Sequence, residues 1–190
     1  MNYLECNEII DYNSPSIRQK ALELSHNLKS DEEIAKSCFL FVRDEIRHTN
    51  DAKDNIITCK ASEVLEYKTG WCFAKSHLLC TLLRANNIKS GFCYQRLSVN
   101  DNGEPYSLHG LNALYLEKYG WYRVDARGNK SGVSADFCPP IEKLAFNINL
   151  VGEKDFNKIF SKPLDAVVEF LQKYKTLETS FANLPDAQDI

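Results

Sequence analysis

Residues 69–88, TGWCFAKSHLLCTLLRANNI, decide the fold of this chain. Gly70 interrupts the pattern that precedes them, and neither glycine nor proline occurs from Cys72 to Ala85. Leucines recur at the spacing of an α-helix within this stretch. The sequence therefore predicts a largely buried helix that begins at Cys72.

Cys72 lies on the apolar side of this predicted helix. At about 100° per residue, it shares a narrow stripe with Ser76, Leu79 and Leu83. We therefore expect its side chain to point into the protein. His77 falls on the opposite side, so we expect it at the surface and too far around the helix to act as a base for Cys72.

A cysteine at the N-terminus of a helix has a chemical consequence. The positive end of the helix dipole and the unpaired backbone N–H groups favour the thiolate, which is the nucleophilic form. Ser76, one turn later, is small enough to let another element approach the sulfur. The alternative is structural, because cysteines on apolar helices are commonly just small core residues.

Length and composition limit the class of protein. The 190 residues are 44% hydrophobic and 26% charged, which suits one domain with a full core, and we expect a single domain over residues 1–190. A net charge of -3 without a basic cluster argues against nucleic-acid or membrane partners. The N-terminal MNYLECNEIIDYN is neither a signal peptide nor a membrane span, which indicates a cytoplasmic protein.

The seven cysteines are odd in number and form no C-x-x-C pair. They predict reduced thiols rather than a zinc site or a disulfide framework, and no metal or other cofactor is expected. We expect core or half-buried positions for Cys38, Cys80 and Cys93, and positions in or beside loops for Cys59 and Cys138.

Helices are also predicted before the central one. The first begins at Ser14. Ser30, with Glu33 three residues later, is a capping-box pattern that begins the second, which we expect to end near His48. After a polar loop, ASEVLEYK (residues 61–68) provides a further short helix.

Strand patterns follow the central helix. Residues 88–99, 108–116 and 121–126 alternate in the manner of strands and are separated by turn residues, so we expect three antiparallel strands packed against that helix. A last helix is predicted within residues 162–177, with a frayed tail from Ser180. The predicted fold class is α+β, with N-terminal helices and a central buried helix on an antiparallel sheet.

Two polar residues on these strands are candidate partners for Cys72. His109 and Asp125 lie eight residues either side of Glu117, so a hairpin there sets them level. Residues directly opposite share a face of the sheet, so the connecting loop needs an odd number of residues, or a bulge. If the two meet, Asp125 orients the imidazole of His109 and the other ring nitrogen pairs with Cys72.

A Cys-His-Asp triad of this kind transfers acyl groups. The thiolate attacks an amide or ester carbonyl to give an acyl-enzyme, and His109 passes a proton to the leaving amine. Backbone N–H groups at the start of the helix, including that of Cys72, would hold the oxyanion.

Three stretches together resemble the core of the transglutaminase-like superfamily, which are papain-related cysteine enzymes. They are FVRDEIRH (41–48), ASEVLEYKTGWCFAKSHLLCTLLRANNIKS (61–90) and HGLNALYLEKYGWYRVDARGN (109–129). The resemblance implies a papain/transglutaminase-core fold in a small stand-alone domain of bacterial type. Its core would span about residues 34–128, with the N-terminal helices and the C-terminal helix as accessories.

The resemblance also implies site residues. The implied catalytic residues are Cys72, His109 and Asp125. Trp121 takes the place of the family's aromatic residue on the last strand and is, like His48 and Trp71, a candidate for the oxyanion site or the cleft. Where relatives often carry an aromatic residue that assists the oxyanion, this chain has His48, which is either a substitute donor or a solvated helix end. Trp71 either lines the cleft or only packs.

The resemblance narrows the function to acyl transfer on a peptide, protein or small amide. Hydrolysis, as in a protease or amidase, is favoured over transfer to an amine. An acidic calcium loop and paired zinc cysteines are missing from the sequence, which disfavours calcium-activated and peptide N-glycanase relatives. The alternatives are a non-catalytic peptide-binding module and an acyltransferase that uses a thioester donor. The sequence carries no code for a particular substrate or oligomeric state.

Overall fold

The predicted central helix forms where the sequence places it. The computed structural model describes residues 2–190, and in it α5 (Cys72–Ala85) has every side chain from Cys72 to Arg84 buried. Helices cover one side of α5 and the sheet covers the other. A helix that is apolar almost all round is stable only when surrounded in this way.

The other helices include all three of those predicted before α5. They are α1 (Pro15–Ser25), α2 (Asp31–Leu40), α3 (Thr49–Ala52), α4 (Ala61–Tyr67), α6 (Asp165–Lys173) and α7 (Leu177–Phe181). The capping box of α2 is confirmed, since Ser30 accepts a bond from the N–H of Glu33 and the Glu33 carboxylate accepts one from the N–H of Ser30. The helical stretch ends earlier than predicted, through a π-helical turn at Phe41–Glu45.

The three predicted antiparallel strands are confirmed. They are β3 (Ser90–Ser98), β4 (Tyr106–Leu116) and β5 (Gly120–Val124), and the sheet has the order β5-β4-β3-β8, where β8 is Lys154–Asp155. The chain is therefore α+β, as predicted. A small hairpin of β6 (Asp136–Cys138) and β7 (Ile141–Lys143) precedes β8.

A short parallel bridge fixes the segment before α3 beside the start of α5. It joins β1 (Arg47–His48) to β2 (Thr69–Gly70), with His48 opposite Gly70. Because Gly70 lies two residues before Cys72, this pairing brings the His48 side chain to the N-terminus of α5.

His77 is buried, which corrects the prediction of a surface position. Its side chain is 1% exposed, with Nδ1 bonded to the carbonyl oxygen of Cys59 at 2.8 Å and the ring packed edge-on against Phe92. The prediction failed because α5 is covered on its polar side as well, by α1 and α4. Burial lowers the pKa of His77 from 6.5 to about 4.

This shift predicts a pH-dependent stability that His77→Gln removes. The folded pKa lies below the unfolded value, so the unfolded state binds more protons and stability is lost as the pH falls from 6.5 towards 4. The full loss is about 3 kcal/mol. Urea unfolding between pH 5 and 7 should show a smaller slope for His77→Gln than for the unchanged protein. His26→Gln, at an exposed position, serves as the control, and an unchanged slope in His77→Gln would contradict the prediction.

Two buried cations on α5 bind backbone carbonyls. Lys75 donates to the carbonyl oxygens of Ile46 and Arg43 at the end of the π-helical turn, and burial lowers its pKa to about 7. The guanidinium of Arg84 joins three distant segments of the chain. Its acceptors are the carbonyl oxygens of Glu5, Ser90 and Ser161.

The C-terminal tail is packed, which corrects the prediction of a frayed end. Ser180 lies in α7 and accepts a bond from the indole N–H of Trp71 at 3.2 Å. Further along, Leu184, Ala187 and Ile190 pack against the core. The prediction failed because contacts with distant segments hold the tail, and the composition of the tail does not show such contacts.

All seven cysteines are free thiols, as predicted, and Cys38, Cys80 and Cys93 are buried. Cys59 is buried beside the start of α4, whereas Cys138 is exposed at the end of β6. Within residues 2–190, none of the helices has the length and apolar character needed to cross a bilayer.

Candidate active site

A groove of about 640 Å³ opens at the N-terminus of α5. Its walls come from α5, β4, the loop between β7 and β8, and the C-terminal tail. Its lining includes His48, Trp71, Cys72, His109, Phe146 and Leu184. Cys72 itself is 7% exposed, so its sulfur is nearly covered yet faces the groove.

Cys72 lies against β4. The backbone N–H of Gly110 donates to its Sγ at 3.5 Å, and the same thiol raises the pKa of His109. Gly110 allows this approach, because a Cβ there would lie 2.8 Å from Cδ1 and 3.3 Å from Cα of Phe73. Any larger residue at this position would push the strand away from the start of the helix.

His109 and Asp125 meet, with Nε2 of the imidazole 2.7 Å from Oδ2 of the carboxylate. The register explains why. Leu116 pairs with Gly120, which leaves a three-residue loop, and the required odd number is satisfied. The hairpin is centred at Lys118 and not at Glu117, which corrects the prediction that His109 and Asp125 are level. Asp125, directly after β5, comes level with Leu111, two residues from His109 on the same face. Since Nε2 faces Asp125, Nδ1 is the nitrogen left for Cys72.

The electrostatics favour a charged pair. Burial opposes the charged forms of both groups, but His109 and the backbone N–H groups of Arg127 and Ala145 lower the pKa of Asp125. In turn, Asp125 and then Cys72 raise the pKa of His109 above its usual value, despite complete burial. The bonds from Arg127 and Ala145 are 3.1 and 3.2 Å long. The pairing with Asp125 therefore favours the protonated imidazole of His109.

Phe146 covers the imidazole from the groove side. Its ring lies 5.0 Å from that of His109 at 85°, and the guanidinium of Arg127 lies 5.7 Å from its centroid. Sequence analysis missed Phe146, because it lies in a loop without a periodic pattern. Placed there, the ring limits the access of water to the bond between His109 and Asp125.

His48 lines the groove and is not the solvated helix end that was one of its two interpretations. Its side chain is 8% exposed, and its ring stands edge-on to Trp71 at 5.5 Å. Burial, followed by the charge of Arg127, lowers the pKa of His48 well below its usual value. Nδ1 is 3.7 Å from a carboxylate oxygen of Asp51 and has no hydrogen-bond partner within residues 2–190.

Asp51 joins the segment after His48 to the segment after Asp125. Its carboxylate accepts bonds from Arg127 at 2.5 and 3.1 Å and from Lys130 at 2.8 Å. Sequence analysis missed this network. The signal available was the two-residue spacing of Asp125 and Arg127, because an aspartate commonly accepts a bond from the N–H two positions later.

The two tryptophans have different locations. Trp71 lines the groove and is also packed, at 5% exposure, between His48 and Phe170. Trp121 was predicted as a cleft candidate, but among residues 2–190 it is not one that lines this groove. It lies at the hairpin end of β5, where its ring contacts those of Tyr3 and Tyr115. It lies four positions before Asp125 along the chain, and this distance along the strand explains the difference.

A thiol on the first turn of a buried helix, with an imidazole and a carboxylate on an antiparallel sheet, places the chain in the class of papain-related α+β folds. The chain belongs to the transglutaminase-like superfamily, whose family model matches residues 18–126. A comparison with curated proteins gave no match.

A solved structure with a TM-score above 0.5 supports the fold, and two further structures are similar to part of the chain. A presumed cysteine protease from Cytophaga hutchinsonii has a TM-score of 0.53 at 13% identity, over 66% of this chain and 40% of that chain. The periplasmic domain of TgpA from Pseudomonas aeruginosa has a TM-score of 0.48 at 17% identity, over 65% and 45%. Red sea bream transglutaminase has a TM-score of 0.41 at 13% identity, over 63% and 25%. The chain spans less than half the length of these structures.

Proposed function

We propose that the protein is a cysteine-dependent acyl-transfer enzyme that hydrolyses amide or peptide bonds. The observation that carries the proposal is that Cys72 and His109 line one groove, with the buried carboxylate of Asp125 2.7 Å from the imidazole. Family membership supports a cysteine enzyme. The cytoplasmic location and a peptide, protein or small amide substrate belong to the same proposal.

The proposed reaction has two halves. The thiolate of Cys72 forms a bond to the carbonyl carbon, and the carbonyl π electrons move to oxygen. When the carbonyl re-forms, the C–N bond breaks and the nitrogen takes the proton of the His109 imidazolium. Water then attacks the thioester and gives a proton back to His109. The C–S bond breaks, which releases a carboxylic acid and restores the thiolate.

Selective alkylation tests the proposal without a known substrate. Iodoacetamide at neutral pH should label Cys72 much faster than Cys138, although Cys138 is the exposed thiol, because the imidazolium of His109 stabilises the Cys72 thiolate. His109→Ala should remove this preference. Labelling of Cys72 no faster than that of Cys138 in the unchanged protein, mapped by mass spectrometry, would refute the proposal.

The acceptor of the acyl group, water or an amine, can be determined in the same preparation. Incubation of a glutamine-containing peptide with a primary amine in water should give acid rather than the amine adduct, if hydrolysis dominates. Predominant amine incorporation would show crosslinking chemistry instead. The intact set of Cys72, His109 and Asp125 disfavours a purely peptide-binding module, which does not need it.

His48 is proposed as the second oxyanion donor, beside the N–H of Cys72. Its ring lines the groove, and burial lowers its pKa well below the usual value, which favours the neutral imidazole with one N–H. We expect His48→Phe, which keeps the ring packing, to reduce kcat by about 10²–10³. His48→Gln, which keeps an N–H donor, should lose less. Equal losses in the two variants, with KM unchanged, would contradict a donor role.

A further inference from the structure

The edge of β4 beside Cys72 is not covered by β5. Backbone N–H groups point alternately to the two edges of a strand, and the N–H of Tyr115 points to the carbonyl of Lys89 on the β3 side. The even-numbered residues of β4 therefore point to the opposite edge. Pairing with β5 there reaches only as far as Asn112.

The next two outward N–H groups have different acceptors. That of Gly110 donates to Sγ of Cys72 at 3.5 Å. That of Leu108 donates to the carbonyl oxygen of Pro185 in the C-terminal tail, at 2.7 Å. The nucleophile and a carbonyl of the tail thus take consecutive places on one strand edge, about 7 Å apart by strand geometry.

The tail is held there by two contacts. Leu184 lines the groove that contains Cys72. Asp186 forms a two-pronged ion pair with Arg96 on β3, with both N–O distances 2.7 Å. The segment 184–186 thus places an aliphatic side chain in the groove, a carbonyl oxygen on the N–H of Leu108 and a carboxylate on Arg96.

An extended peptide on this edge would be in register for acyl transfer. Alternate carbonyl groups of an added strand face the same way. If one carbonyl accepts the N–H of Leu108, the carbonyl two residues away comes level with Gly110, where Sγ of Cys72 lies. The tail segment therefore occupies the path that such a peptide needs.

We propose that residues 184–186 occupy a substrate subsite and have the same features as the peptide that this subsite binds. The subsite takes an extended peptide with an aliphatic residue and, two positions later, a carboxylate that binds Arg96. The tail is then an intramolecular competitor that an incoming peptide displaces. This inference rests on the proposed function only in that the bound peptide is cleaved. Binding of the peptide itself does not require catalysis.

The test detaches the tail by substitutions and supplies the tail sequence as a separate peptide. In the full chain with Cys72→Ala to prevent turnover, Leu184→Glu combined with Asp186→Lys places a charge in the groove and a cation against Arg96. The amide of Leu108 should then lose its protection from hydrogen exchange, measured by NMR. A fluorescent peptide ANLPDAQ, the sequence of residues 182–188, should bind this variant at least about tenfold more tightly than the parent, since a tethered competitor is lost.

Matched controls define the subsite. Asp189→Asn removes only an exposed ion pair with Lys154 further along the tail and should leave peptide binding unchanged. A scrambled peptide should bind neither protein. Arg96→Gln, added to the released variant, should abolish the preference for ANLPDAQ over ANLPNAQ. The milder Asp186→Asn alone should give a partial release, and circular dichroism checks that each variant is folded.

Either of two results would overturn the inference. One is that the Leu108 amide stays protected in both tail variants, which would show that these contacts do not hold the tail. The other is that the amide is released but affinity for ANLPDAQ does not rise. The proposed function fails separately, if the parent with Cys72 intact shows no selective alkylation of that thiol.

Discussion

Replacing Cys72 by alanine should lower kcat/KM for amide hydrolysis by on the order of 10⁴-fold or more. The substitution removes the atom that forms the acyl bond, and the 7% exposed position accepts a smaller side chain without changing the surface. The measurement is hydrolysis of a peptide substrate found by screening, with the thermal midpoint as the check on folding. Cys138→Ala, at the exposed thiol, should retain full activity.

The combination of Cys72→Ala with His109→Ala should be no worse than either change alone. Residues that act in one chemical step give strongly non-additive losses, because the remaining partner has nothing left to act on. Additive losses in the double variant would mean that Cys72 and His109 do not work together. Residual activity of Cys72→Ala within tenfold of the parent would refute the nucleophile assignment, whatever the behaviour of the double variant.

Gly110→Ala should impair folding and chemistry together. The new Cβ would lie 2.8 Å from Cδ1 and 3.3 Å from Cα of Phe73, so β4 must move away from the start of α5. Overpacking of this kind costs about 1–3 kcal/mol of unfolding free energy. The same movement separates His109 from Cys72, and misplacement by about 1 Å can cost 10²-fold in rate. Urea unfolding and Cys72 alkylation measure the two effects.

Gly91→Ala is the matched control. Its Cβ would lie 2.7 Å from both Ile159 Cγ2 and the carbonyl oxygen of Phe160, so it disturbs the sheet at β3 without touching the groove. We expect a similar loss of stability and an unchanged alkylation rate at Cys72. If the two glycine variants lose alkylation rate equally, the loss reflects general destabilisation and not the spacing of strand and helix.

The parts of the fold that local pattern controls could be predicted. Helical spacing predicted that α5 begins at Cys72. The pair of Ser30 and Glu33 predicted the cap of α2, and alternation predicted β3, β4 and β5. Sequence also reduced the meeting of His109 and Asp125 to one condition on the loop, which the three residues between Leu116 and Gly120 satisfy.

The features that depend on coverage by distant segments could not be predicted. The polar stripe on α5 predicts a surface position for His77, because a helical wheel does not show that α4 packs over it. Phe146 over His109 and Pro185 on β4 are contacts between segments far apart in the chain, and neither loop carries a periodic signal. The solvated interpretation of His48 failed for the same reason, since Trp71 covers it.

Arg84 makes unfolding more cooperative than the short secondary elements suggest. Its guanidinium bonds simultaneously to segments near the beginning, middle and end of the chain. Detaching any one of them leaves a buried cation with an unpaired donor, at a cost of about 1–3 kcal/mol or more. Partial opening is thereby penalised, so proteases should cut the native protein mainly through global unfolding and not by peeling away one segment at a time.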